Sequence, residues 1–151
     1  MLLESLLAYA HLVAILSVVV FATSEAALCR IEWLNAAVVR RLVRVDTIYW
    51  VAVLVVLLTG LARTGWGIKG GGWYWQQPLL HLKLTLLVVM GLLSIPPSLA
   101  FRRWARQLDA DGTLPDATEI SRVRRLVMIQ THIMILIPLA GSLLARGLWV
   151  R

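Results

Sequence analysis

His81 and Lys83 stand two positions apart at the head of the apolar run Leu79-Leu80-His81-Leu82-Lys83-Leu84-Thr85-Leu86-Leu87. An imidazole can ligate a metal or carry a proton, and an ammonium can hold an anion. Both are costly to keep at the edge of a hydrocarbon layer, so ionisable side chains placed there are by default candidates for a functional site. His11 is a second imidazole within a long apolar stretch, and His132 is a third. Glu25 and Asp46 are acidic residues at the ends of apolar stretches, with Arg30 at about the same level.

The elements that must position these groups follow from composition. The chain has 151 residues, 60% hydrophobic and only 15% charged, with a mean hydropathy of +0.80. A soluble domain is about half apolar and about one quarter charged, so the excess here belongs in a membrane rather than in one small core. The net charge of +7 would suggest nucleic acid in a soluble protein, but in a membrane protein it reflects arginines that set topology, so no nucleic-acid partner is expected. One cysteine, Cys29, excludes an internal disulfide and any cysteine cluster for zinc or iron–sulfur. The first residues lack the basic region of a secretory signal, so the first apolar run is expected to stay as a span.

Four stretches, at about 5–28, 46–62, 79–100 and 126–148, approach the ~20 residues needed to cross a bilayer. The expected fold is therefore all-α: a single transmembrane domain over 1–151, an integral membrane four-helix bundle. Arg30, Arg40, Arg41 and Arg44 lie in the first connection, and Arg102, Arg103, Arg106, Arg122, Arg124 and Arg125 in the third. The second connection carries only Arg63 and Lys69, and the tail Arg146 and Arg151. The positive-inside rule then puts the first and third connections in the cytoplasm, with the N-terminus and C-terminus outside. Residues 31–45 read as a short amphipathic helix along the interface. Residues 107–121, with Asp109, Asp111-Gly112, Pro115 and Asp116, read as a solvated loop, with Ser121, or Thr118 with nearby acids, capping the approach to the last span. Pro96 and Pro97 are expected to bend or end the third helix. The outer connection, rich in glycine and tryptophan, reads as an aromatic belt or as a lid over a flat ligand, with Arg63 and Lys69 available to an anion.

Helical periodicity decides which polar groups can meet. Glu4, His11, Val18 and Glu25 recur every seven residues and form one stripe on the first span. His11 and His81 enter from the same outer side to similar depth, whereas His132 enters from the other side, nearer Glu25, Asp46 and Tyr49. Lys83 is rotated about 200° from His81, so one of the two faces the interior while the other snorkels or lines another helix contact. An axial pair for one haem must come from residues at one depth, which His11 with His81 or with Lys83 satisfies. Zinc would need a denser ligand set. No phosphate loop, dinucleotide fingerprint or Ser-His-Asp set is present. The packing readings stand beside these. A lone histidine can simply hydrogen-bond across helices, Glu25 can pair with an arginine, and the small residues near Pro138 allow close helix contact.

The whole chain resembles a family of four-span bacterial membrane proteins of unknown function. The resemblance rests on Ala10-His11-Leu12, Arg44-Val45-Asp46-Thr47-Ile48-Tyr49, Lys69-Gly70 and Pro78…His81…Lys83. It continues through Gly91-Leu92-Leu93-Ser94-Ile95-Pro96-Pro97, Leu136-Ile137-Pro138-Leu139-Ala140 and Ala145-Arg146-Gly147. The first-span histidine and the third-span His-x-Lys-Leu are also similar, more distantly, to the HemJ-type membrane protoporphyrinogen oxidase, a haem-b family. Its functional first-span histidine and third-span lysine match His11 and Lys83. The copper-resistance D membrane proteins are similar in architecture. The chain differs from the oxidase in its cytoplasmic loops and in the proline-rich end of its third span.

The resulting expectation is a multi-pass protein of the bacterial inner membrane that binds one haem b, with His11 and His81 as axial ligands of the iron. Lys83 serves a propionate or stands in as ligand. Its partner in electron transfer would be a quinone or a porphyrinogen. The rival reading is a non-catalytic accessory subunit or assembly factor, as a homo-oligomer or within a larger membrane complex.

Overall fold

The computed structural model describes residues 2–66 and 78–145, with Gly72 and Gln76 between them. The described chain is helical throughout: α1 (Leu2–Leu28), α2 (Ala36–Trp66), α3 (Pro78–Asp111) and α4 (Ala117–Ala145). Most of the glycine-rich connection between α2 and α3, with Lys69, lies outside the described residues. So do Arg146, Arg151 and the close of the expected fourth span at 148.

Each helix boundary has a local cause. Asn35 caps α2, its Oδ1 accepting the Val38 N–H at 3.0 Å, which satisfies one of the orphan donors of the first turn. Asp116 does the same for α4, accepting the Glu119 N–H at 2.8 Å. The cap is therefore Asp116, one of the acids near Thr118, rather than Ser121 or Thr118 itself; the Ser121 hydroxyl bonds back to the Ala117 carbonyl. α3 closes on Gly112, which takes a left-handed φ of 75° while its N–H reaches the Leu108 carbonyl at 3.0 Å. Glycine is the residue that adopts this cap without a Cβ penalty.

The helices are longer than hydropathy alone suggests. Residues 36–45 are not a separate interfacial helix but the first turns of α2, since the turn over 31–33 leaves the cap at Asn35 free to start one continuous helix. Pro96 and Pro97 do not end α3, which runs on to Asp111, and Pro138 lies inside α4. α1, α2 and α3 are each long and apolar enough to cross a membrane.

The four helices form a ring in which α1 packs on α2 and α4, and α3 also packs on α2 and α4. α1 and α3 are therefore diagonal. The middle of the bundle is an apolar layer of Ala14, Val18, Ala22, Ala52, Val56, Met90, Met134 and Ile137. A second core, at the end carrying the two short connections, gathers Leu42, Phe101, Trp104, Ile120 and Val127. The outward faces are apolar too: Leu16, Val20, Val51, Leu58, Val88, Leu92 and Ile135 are all exposed. Such a surface would aggregate in water, and hydrocarbon is the solvent that matches it.

Trp104, fully buried, donates its indole N–H to Glu119 Oε1 at 2.9 Å. With the Arg103 guanidinium as second partner, this bond holds the Glu119 carboxyl below its ordinary value of 4.5. A group whose folded value is depressed adds stability above its unfolded value and loses it as pH falls through the folded one. Thermal unfolding in detergent should accordingly show a Tm that drops as pH falls below about 4.5. In Trp104→Phe that part of the pH dependence should be smaller.

Candidate functional site

Two groups of buried polar side chains lie at opposite ends of the bundle. At the end where α1 begins, His11 is 5% exposed, held there because its position on the seven-residue stripe of α1 faces α2. Its Nδ1 lies 2.8 Å from Thr59 Oγ1. The Thr59 hydroxyl hydrogen is already given to the Val55 carbonyl at 2.6 Å, so Thr59 must accept, and His11 Nδ1 must carry the proton. That fixes the neutral tautomer and leaves the lone pair on Nε2. Gly60 makes the approach possible: a Cβ there would sit 3.3 Å from His11 Cε1. Lys83 and Arg63 are the cations within electrostatic range of the ring.

Lys83 is half-buried, whereas His81 is exposed, as the rotation between them requires. The close partner of His11 is thus Thr59 on the neighbouring helix, while His81 stands exposed on the diagonal one. His132 joins neither group. It is exposed, and its Nδ1 bonds the Met128 carbonyl of its own helix at 2.6 Å.

The other group lies toward the arginine-rich end, where all four helices contribute. Asp46 and Glu25 are 1% and 2% exposed. The Trp50 indole N–H donates to Ser98 Oγ at 2.8 Å, and the Ser98 hydroxyl donates to Asp46 Oδ1. Arg102 Nη2 lies 3.8 Å from Asp46 Oδ2, close enough for attraction but not for a hydrogen bond. The Tyr49 hydroxyl meets Ser94 Oγ at 2.9 Å. Ser94 gives its own hydrogen to the Met90 carbonyl at 2.7 Å, so Tyr49 is the donor. Gln130 of α4 is fully buried beside that hydroxyl.

Sequence reasoning singled out Glu25 and Asp46 but expected an arginine to close on Glu25. The charged group Glu25 faces is instead Asp46, and the arginine approaches Asp46. It did not single out Thr59, Ser98 or Gln130. Gln130 had a signal, as a carboxamide within an apolar run. The serines had another, at i and i+4 on one face of α3. Cys29, just past the end of α1, is buried and its thiol is pushed up to about 12 by that burial. It stays protonated and unreactive.

A family model described as "Predicted membrane protein (DUF2214)" matches residues 3–148. No curated protein and no solved structure matches the chain.

Replacing Thr59 by valine removes the hydroxyl acceptor 2.8 Å from His11 Nδ1 and preserves the shape of the side chain. ¹⁵N spectra of histidine-labelled protein should show a single Nδ1-protonated tautomer for His11 in the parent. In Thr59→Val they should show a mixture.

Proposed function

The chain belongs to the DUF2214 family of predicted membrane proteins, and we propose that it binds one haem b and transfers electrons, with a quinone or a porphyrinogen as redox partner. The observation that carries this reading is the state of His11: a buried imidazole, its Nδ1 proton fixed by Thr59, its Nε2 lone pair available and its ring seated against Gly60. A ligating histidine is commonly held in this way, with the second nitrogen donating to a fixed acceptor.

The donor set fits the group. His11 would be the axial ligand through Nε2. Lys83 and Arg63, the cations in range of it, would meet the two propionates, or Lys83 would take the second axial position. The half-burial of Lys83 supports it over the exposed His81, and so does the resemblance of His11 and Lys83 to the functional pair of the HemJ-type oxidases. Haem, when bound, would supply one-electron redox chemistry whose potential depends on the axial ligands and on burial. The chain's own part is to orient His11, keep water from it and hold the carboxylates.

The arginine-rich end would face the cytoplasm of a bacterial inner membrane, with α4 as a fourth span and both termini outside. A thiol reagent that cannot cross membranes should therefore label Ala110→Cys, an exposed position, in inverted vesicles and not in intact cells. The buried native Cys29 should remain unlabelled in both.

Protein purified from fresh membranes should show a reduced-minus-oxidised haem-b spectrum. His11→Ala should abolish it while leaving the yield of folded protein unchanged. Lys83→Ala should alter the spectrum more than His81→Ala does, and the reverse order would assign the second position to His81. A colourless protein that also fails to take up added haemin would overturn the reading and favour an accessory role.

A further inference from the structure

Two carboxylates, one from α1 and one from α2, are buried in the arginine-rich half of the bundle, and among the described residues one cation, Arg102, lies within ion-pair distance of them. Arg102 lies 3.8 Å from Asp46 Oδ2 and is itself 56% exposed. Glu25 has Asp46 within electrostatic range, and among the described residues no cation lies within ion-pair distance of it and its Oε1 has no hydrogen-bond partner. Independently, the carboxamide of Gln130 is fully buried, with the Tyr49 hydroxyl as its polar neighbour and neither end in a close hydrogen bond among the described residues. The Tyr49 hydroxyl is where these groups converge: Ser94 bonds it, Gln130 lies beside it, and Glu25 and Asp46 are both within electrostatic range. From α4, Arg124 lies within electrostatic range of Cys29, as Glu25 does from α1.

Charge balance selects the ligand. Two ionised carboxylates with one guanidinium leave an unpaired negative charge in a low-dielectric interior, which is the most expensive arrangement available. A metal ion is a poor remedy. Among the described residues no three His, Cys, Asp or Glu side chains are grouped to hold one, and Arg102 already occupies the approach to Asp46. One proton removes the excess charge. Gln130 suits either state, since its amide can donate to a carboxylate or accept from a carboxyl O–H.

We propose that Glu25 and Asp46 form a proton-binding site that holds one proton between them and exchanges it with the aqueous phase at the arginine-rich end, past Arg102. A hydronium ion delivers the proton to a carboxylate oxygen, one O–H bond forms, water leaves, and the site's net charge changes from −1 to 0. The proton goes no further inward. Among the described residues the next layer, Val18, Ala22, Ala52, Val56, Met90 and Met134, adds no hydroxyl, carboxyl or imidazole to the Tyr49 hydroxyl that already borders the site, and His11 is 14 residues from Glu25 along α1, or about 21 Å. The site is one-sided, a proton store or sensor rather than a channel, and it stands independently of whether haem is bound.

Infrared difference spectroscopy of the full chain in lipid, titrated with pH, reads the carbonyl stretch of a protonated carboxyl directly. One such band should appear in the parent. Glu25→Gln should abolish it, because Asp46 with Arg102 then balances without a proton. Glu25→Asp keeps the carboxyl but retracts it by one methylene, and should move the band in frequency. His11→Ala should leave it unchanged, which separates this site from the haem reading. No titrating band in the parent, or a band unaltered in folded Glu25→Gln or Glu25→Asp, would overturn the proposal.

Discussion

Polar side chains in the interior of this bundle have only one another and the backbone to bond, because hydrocarbon surrounds the helices and supplies neither donors nor acceptors. Much of the rest follows from that constraint. Thr59 turns its hydroxyl onto its own helix and so becomes the acceptor that fixes His11. Ser94 and Ser98, one turn apart on α3, collect Tyr49, Trp50 and Asp46 from α2. These bonds tie α2 to α3 where the lipid-facing sides of both offer no hydrophobic drive to associate. The exposed Arg40–Asp109 pair at 3.1 Å adds little by comparison, being in high dielectric.

The same constraint explains the layered interior. His11 and Glu25 occupy one stripe of α1, two heptads apart, and among the described residues the layer of Ala14, Val18, Ala22, Ala52, Val56, Met90 and Met134 between them is apolar. Each centre has that layer on its inner side. A group the bundle leaves unbonded among the described residues, such as Glu25 Oε1, therefore stands out as a place where a proton or ligand is expected.

Much of this was legible in the sequence. Hydropathy located the helices, and the seven-residue recurrence through His11 and Glu25 put both on the interior face. The 200° between His81 and Lys83 required that one turn outward. Which one did was not legible, since both neighbour leucines and only the diagonal placement of α1 and α3 decides the matter. The start of α2 was misread because Arg40, Arg41 and Arg44 make its first turns look interfacial, although Asn35 caps one continuous helix. Thr59 and Ser98 were missed for a different reason. A hydroxyl in an apolar helix ordinarily bonds back to its own backbone, and only the contact across helices distinguishes these two.

Two buried polar centres separated by an apolar layer should be energetically independent, and a double-mutant cycle tests that most directly. Unfolding free energies would be measured for the parent, His11→Ala, Glu25→Gln and the double variant in one detergent. Sites more than ~10 Å apart with no shared partner should add to within about 0.5 kcal/mol. A coupling clearly larger than that, about 1 kcal/mol or more, would mean the layer does not insulate the two ends, and would contradict the account.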